Sequence, residues 1–171
     1  GLRLIHPSFM GYEGLAHAAH QPLKTLLVQN FVTGCTTLMN RALLDLAVPI
    51  PAEAALHDWW LALCAATAGR IHYLPDATVR YRQHGQNCVG ARSTHLHIGR
   101  LLTSFPAYMG RHTAHLAAGI GQARTLLRRL EKTATTHDDR TQLVRQFCQK
   151  FESQQGKLQR ISRVMKLGIR R

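Results

Sequence analysis

His57-Asp58-Trp59-Trp60 sets two titratable side chains beside two tryptophans at the start of an apolar run. The ordinary reason for an aspartate at the mouth of a helix is that it caps free N–H groups and complements the dipole. A carboxylate held there, partly desolvated and within reach of a hydroxyl, can also act as a general base. The histidine before it and the paired indoles after it favour the second reading, because adjacent tryptophans are costly to expose and suit the wall of a pocket.

Two other clusters could do chemistry. Tyr81-Arg82-Gln83-His84-Gly85-Gln86-Asn87 gathers donors and acceptors around one imidazole at the end of an expected strand, as binding loops do. A single histidine is not a metal site. Thr33-Gly34-Cys35-Thr36-Thr37 flanks a glycine with hydroxyls, which lets backbone N–H groups approach a polar ligand or simply forms a bulge. It is no phosphate loop, since no GK[ST] follows. His95 and His97 are two residues apart and would not face each other on a helix.

The elements that must position these groups are mostly helical. Pro22 opens a helix to about Gln29. Residues 31–39 are β-prone, and Asn40 caps a helix from Arg41 to Ala47. His57 to Ala68 forms a helix that is apolar almost all round, stopped by Gly69 and expected to be buried. Two short strands, Arg70–Leu74 and Thr78–Arg82, turn at Pro75-Asp76. From Ser93 onward the spacing is helical: one segment to Pro106, one through Leu126, Leu127 and Leu130, one through Leu143 to Phe151, and a basic last one from Leu158.

Asn30-Phe31-Val32-Thr33-Gly34-Cys35-Thr36-Thr37-Leu38-Met39-Asn40, then His57-Asp58-Trp59-Trp60, then Tyr81 to Asn87, resemble in that order the C-terminal half of bacterial family-two glycosyltransferases of the GT-A fold, the rhamnosyltransferase-like members above all. The resemblance covers about residues 1–91. It implies an α/β class, a partial GT-A fold with few short strands, predominantly helical; the helical spacing and the charge beyond it predict a basic all-helical extension over residues 92–171. It implies inverting transfer of a sugar from a nucleotide-diphosphate sugar to a glycan or lipid-linked acceptor, as in cell-surface polysaccharide synthesis. Asp58 would match the general base. Thr33, Gly34 and Cys35 would match the loop beside the donor sugar. His57, Trp59, Trp60 and Arg82 would lie on the acceptor side, and His84 would help hold a divalent metal, Mg or Mn. The family usually has Glu where His57 stands. Its nucleotide-binding half and Asp-x-Asp motif have no counterpart here, so the chain is expected to be a piece of the enzyme that does not turn over a nucleotide sugar alone.

Composition divides the chain at about the same place. Net charge is +13 over 171 residues, yet residues 1–90 hold six Lys/Arg against five Asp/Glu, and residues 91–171 hold sixteen against four. Such asymmetry points to an anionic partner for the second half. Residues 157–171 combine Arg160, Arg163, Lys166, Arg170 and Arg171 with an apolar stripe, which fits attachment to an anionic membrane surface. A non-catalytic basic module on a membrane or nucleic acid is the alternative, and nucleic acid is disfavoured because no binding signature is present. No apolar run reaches the roughly 18 residues of a membrane span, and Gly1 to Pro7 lacks the form of a secretory signal. Cys35, Cys64, Cys88 and Cys148 match no zinc module and read as reduced thiols, mostly core filler. The expected compartment is the cytoplasm, with peripheral placement on the inner face of the cell membrane.

Overall fold

A computed structural model describes residues 3–13, 15, 21–84, 105–132 and 139–152. Their helices are α1 (Phe9–Glu13), α2 (Pro22–Leu26), α3 (Arg41–Ala47), α4 (His57–Ala68), α5 (Phe105–Lys132) and α6 (Asp139–Glu152), with a 3-10 turn at Gly34–Thr36. The described part is predominantly helical and contains no strand.

Helix α4 lies at the centre. Trp59 to Cys64, Ala66 and Thr67 are all buried, eight of its twelve residues. With so much of its surface apolar, it has to be covered on every side. Helices α2, α3, α5 and α6 all pack against it, and α5 and α6 pack against each other. Its ends follow the local sequence: Asp58 supplies a negative charge to the first turn, and the Gly69 N–H closes the last one on the Ala65 carbonyl at 2.9 Å. Asn40 caps α3, its Oδ1 accepting from the Leu43 N–H at 3.0 Å.

Side chains from elsewhere in the chain complete the C-terminal ends of three helices, where the last carbonyls lack intrahelical donors. The Trp59 indole donates to the Leu26 carbonyl at the end of α2, at 2.6 Å, and the Trp60 indole donates to the Ala47 carbonyl at the end of α3, at 2.9 Å. Arg129 of α5 donates to the carbonyls of Leu46 at 2.9 Å and Pro49 at 2.8 Å, and its guanidinium lies 5.2 Å over the Trp60 ring. Arg140 of α6 donates to the carbonyls of Ala66 and Gly69 at the end of α4.

Helix α5 comes close to the end of α2 and to α4 at Gly119, where a Cβ would stand 2.8 Å from the Leu27 carbonyl and 3.6 Å from the Trp59 ring. Beyond it, Ala123, Leu126 and Leu130 continue the buried stripe, and Val144 and Cys148 of α6 meet it. These residues form one apolar cluster with Leu23, Leu26, Trp59, Trp60 and Leu63. A single core thus spans the boundary expected near residue 91.

Several sequence expectations need correction. Residues 31–39 form a loop around the 3-10 turn, not a strand. The hydroxyls of Thr36 and Thr37 both donate to the Thr33 carbonyl at 2.9 Å, and such local bonds compete with a ladder. Residues 70–74 and 78–82 are mostly exposed and form no strand, since β-prone side chains need a neighbouring surface to pack on. Pro106 opens α5 rather than ending a segment, as proline does in a first turn. The basic stretch at residues 157–171 lies outside the described residues. No described helix is long and apolar enough to cross a membrane.

Because Arg129 ties α5 to α3 and to Trp60, Arg129→Met should lower stability by about 2 kcal/mol, from the lost charged hydrogen bonds and the cation–π contact. Urea unfolding followed by tryptophan fluorescence and by helix circular dichroism should give coincident transitions in both proteins. Separate transitions for the two signals in the parent protein would contradict a shared core.

Candidate active site

Two segments, the loop from Asn30 to Thr37 and the start of α4, meet at the Asp58 carboxylate. Its Oδ1 accepts from Asn30 Nδ2 at 3.0 Å and from the Trp59 backbone N–H at 2.7 Å, and its Oδ2 accepts from the Gly34 backbone N–H at 3.0 Å. Asn30 is itself fixed by an Asx turn, its Oδ1 accepting from the Val32 N–H at 2.9 Å. The carboxylate is half-buried, and the adjoining His57 ring is exposed. An ionised carboxylate has about four lone-pair sites. Among the described residues Oδ1 uses two of them and Oδ2 one, which leaves Oδ2 able to accept another proton donor.

At Gly34 the loop comes close to α4. A Cβ there would meet His57 Nε2 at 2.6 Å and Asp58 Cβ at 3.3 Å. The small residue lets its N–H reach the carboxylate, as the sequence suggested for a polar ligand, but here the group approached is the chain's own aspartate. Thr33 is half-buried beside it, and Cys35, Thr36 and Thr37 are exposed.

The other candidate residues are distributed differently. Trp59 and Trp60 are 0% exposed. Their expected place on an acceptor wall is corrected: both rings are core, with each indole N–H consumed by a helix-end carbonyl. The apolar side chains that do reach the surface in these stretches are Leu38, at 99% exposure, and Leu56, at 41%. Arg82 and His84 are exposed and are not among the hydrogen-bond partners of Asp58. Their segment leans on α1 through Tyr81, whose ring meets Phe9 edge-on at 5.7 Å. Among the described residues no three His, Cys, Asp or Glu side chains come together to hold a metal ion. His84 therefore brings one imidazole, which makes no metal centre by itself. Asn30 has no role of its own in the sequence pattern; its signal there is an Asn opening a loop that must turn.

The cysteines differ by burial. Cys64 and Cys148 are buried free thiols and Cys35 is an exposed one, while Cys88 lies outside the described residues. Burial pushes the Cys64 thiol up to about 12, against the opposing charge of Arg129.

No protein-family model matches the chain, and no curated protein or solved structure matches it.

Two outcomes test this geometry. Gly34→Ala must push the His57 ring aside and should cost about 1 kcal/mol. In a His57→Ala background the same change should cost at least about 0.5 kcal/mol less. Equal costs in both backgrounds would show that the ring is not the obstacle. At pH 8 a thiol reagent should label Cys35 at once and leave Cys64 and Cys148 untouched until denaturant is added. Because the folded Cys64 holds its proton to about pH 12 and the unfolded thiol releases it near its ordinary 9.0, this residue's contribution to stability is complete below pH 9 and declines across that window. Labelling of Cys64 in the native protein at pH 8 would refute the packing around it.

Proposed function

We propose that the protein is an inverting, nucleotide-sugar-dependent glycosyltransferase of the GT-A type, that this chain is its acceptor-side part, and that Asp58 is its general base. The observation that carries the proposal is the convergence of Asn30, Gly34 and Asp58. Residues from two motifs, 24 or more positions apart in the chain, meet at one half-buried carboxylate with an oxygen still able to accept a proton.

In the proposed reaction, the acceptor hydroxyl oxygen bonds to the anomeric carbon of the donor sugar while the bond from that carbon to the nucleoside diphosphate breaks. The bonding pair leaves with the diphosphate, and the hydroxyl proton passes to Asp58. A single in-line displacement of this kind inverts the anomeric centre, and a positioned base is worth roughly 10²- to 10⁴-fold. Fixing the carboxylate by three N–H donors means that little reorganisation remains when charge develops nearby. Thr33, Gly34 and Cys35 would face the donor sugar. Leu38 and Leu56 take over from the two tryptophans as apolar surface for a sugar ring. Asp-x-Asp occurs nowhere in the chain, so the acidic groups for a metal-bound diphosphate are assigned to a part of the enzyme outside it. A glycan or lipid-linked acceptor, with residues 157–171 on an anionic membrane surface, completes the proposal.

One observation favours a purely structural role as well: three N–H donors on one carboxylate are also what a staple between α4 and the preceding loop would have. Substitution separates the two. The protein as encoded by its gene is given UDP-, GDP- and dTDP-sugars with p-nitrophenyl glycosides, and released nucleoside diphosphate is measured. Asp58→Asn should reduce release at least about 100-fold. It should also cost about 1–3 kcal/mol of stability, because an amide nitrogen replacing Oδ2 would face the Gly34 N–H donor to donor. Stability loss with an unchanged rate in the folded fraction, or no release by the parent protein with any pair, rejects the proposal.

A further inference from the structure

We infer that Asn30 is a positioning residue that selects Oδ2 of Asp58 as the oxygen receiving the acceptor proton. The assignment rests on the base role proposed for Asp58. It follows from how the donors are divided. The Asn30 amide and the Trp59 N–H both point to Oδ1, at 3.0 and 2.7 Å, and occupy its two lone-pair sites. Oδ2 holds only the Gly34 N–H at 3.0 Å. A partial rotation of the carboxylate about its Cβ–Cγ bond would turn the oxygen bonded to Gly34 out of its present position. Asn30 opposes that rotation, because its own oxygen is anchored on the Val32 N–H at 2.9 Å and its nitrogen cannot follow.

The arrangement is local and directional. The Trp59 N–H belongs to the helix and the Gly34 N–H to the loop, so both are main-chain donors that no side-chain change removes. Asn30 is the one side chain among the three, and it bridges the loop and the base in a single residue. Its amide fits this place for a chemical reason: one end must accept from a backbone N–H while the other donates to a carboxylate, and Asn supplies both from one rigid group. Aspartate would satisfy Val32 but set a second carboxylate against Asp58. Alanine would do neither.

Two variants of the protein as encoded separate positioning from folding. Asn30→Asp keeps an acceptor for Val32 and removes the donor to Asp58, and Asn30→Ala removes both. With the nucleotide sugars and p-nitrophenyl glycosides above, kcat should fall about 10-fold or more in each, with KM for donor and acceptor changed less than about threefold. The loss should shrink when the acceptor hydroxyl is made more acidic by fluorination next to it, because such an oxygen depends less on a base. A residue that only supports the fold would lower the active fraction equally for every acceptor. If Asp58→Asn abolishes transfer while Asn30→Asp keeps the parent kcat, Asn30 does not position the base and the inference fails with the base role intact. If Asp58→Asn also keeps the parent rate, it is the base role that fails.

Discussion

Helix α4 offers water almost no polar face, so the chain around it is arranged first of all as a cover. Trp59, Trp60, Leu61 and Ala62 are successive positions, so they spread around the helix, and all are buried. Helices α2 and α3 have five and seven residues, too few to stand alone in water, where nucleation is costly and each turn adds little. What stabilises them is α4 itself: each indole N–H takes a carbonyl at the end of one of these helices while its ring fills the space beneath. Burial and hydrogen bonding are supplied by the same two side chains. The loop from Asn30 to Thr37 and the start of α4 are consequently held at a fixed separation, and the Asp58 cluster depends on that separation.

The same contacts change the meaning of the charge distribution. Sixteen Lys/Arg against four Asp/Glu in residues 91–171 suggested an external anionic partner. Two of those cations have internal duties. Arg129 and Arg140 each bond helix-end carbonyls, where a positive charge also complements the helix dipole. Arg145 faces Glu131 at 3.3 Å between α5 and α6, a partly exposed pair that adds little to stability. The basic half therefore completes the core begun by the neutral half, and the two are one folded unit among the described residues.

Much of the helical framework was legible. Asn40 as a cap, Gly69 as a stop and the apolar run between Trp59 and Thr67 are local signals, and each has its expected outcome. Helix α6, Asp139–Glu152, carries Leu143, Val144, Phe147 and Phe151 at the helical spacing read from the sequence. The failures are of another kind. Residues 31–39 have the composition of a strand, but the Gly34 N–H is engaged by a carboxylate 24 residues away, which no local window contains. Adjacent tryptophans at a helix start suit a pocket wall because they are costly to expose. Their indole N–H groups find carbonyl partners 33 and 13 residues earlier, and that decided burial. Within the candidate site, Asp58 and Gly34 were legible from residue type. Asn30 was not, because its role exists only once the loop is folded against α4.

The proposed role of Asp58, oriented by Asn30 and Gly34, is to take a proton from a sugar hydroxyl through Oδ2. A crystal structure of the protein as encoded, with a nucleoside diphosphate and a bound acceptor glycoside, tests it most directly. The reacting hydroxyl is expected within about 2.6–3.2 Å of Oδ2, with the Asn30 and Trp59 bonds to Oδ1 kept. An acceptor bound away from Asp58, or a carboxylate still closed off by its three donors with no hydroxyl in reach, would contradict it.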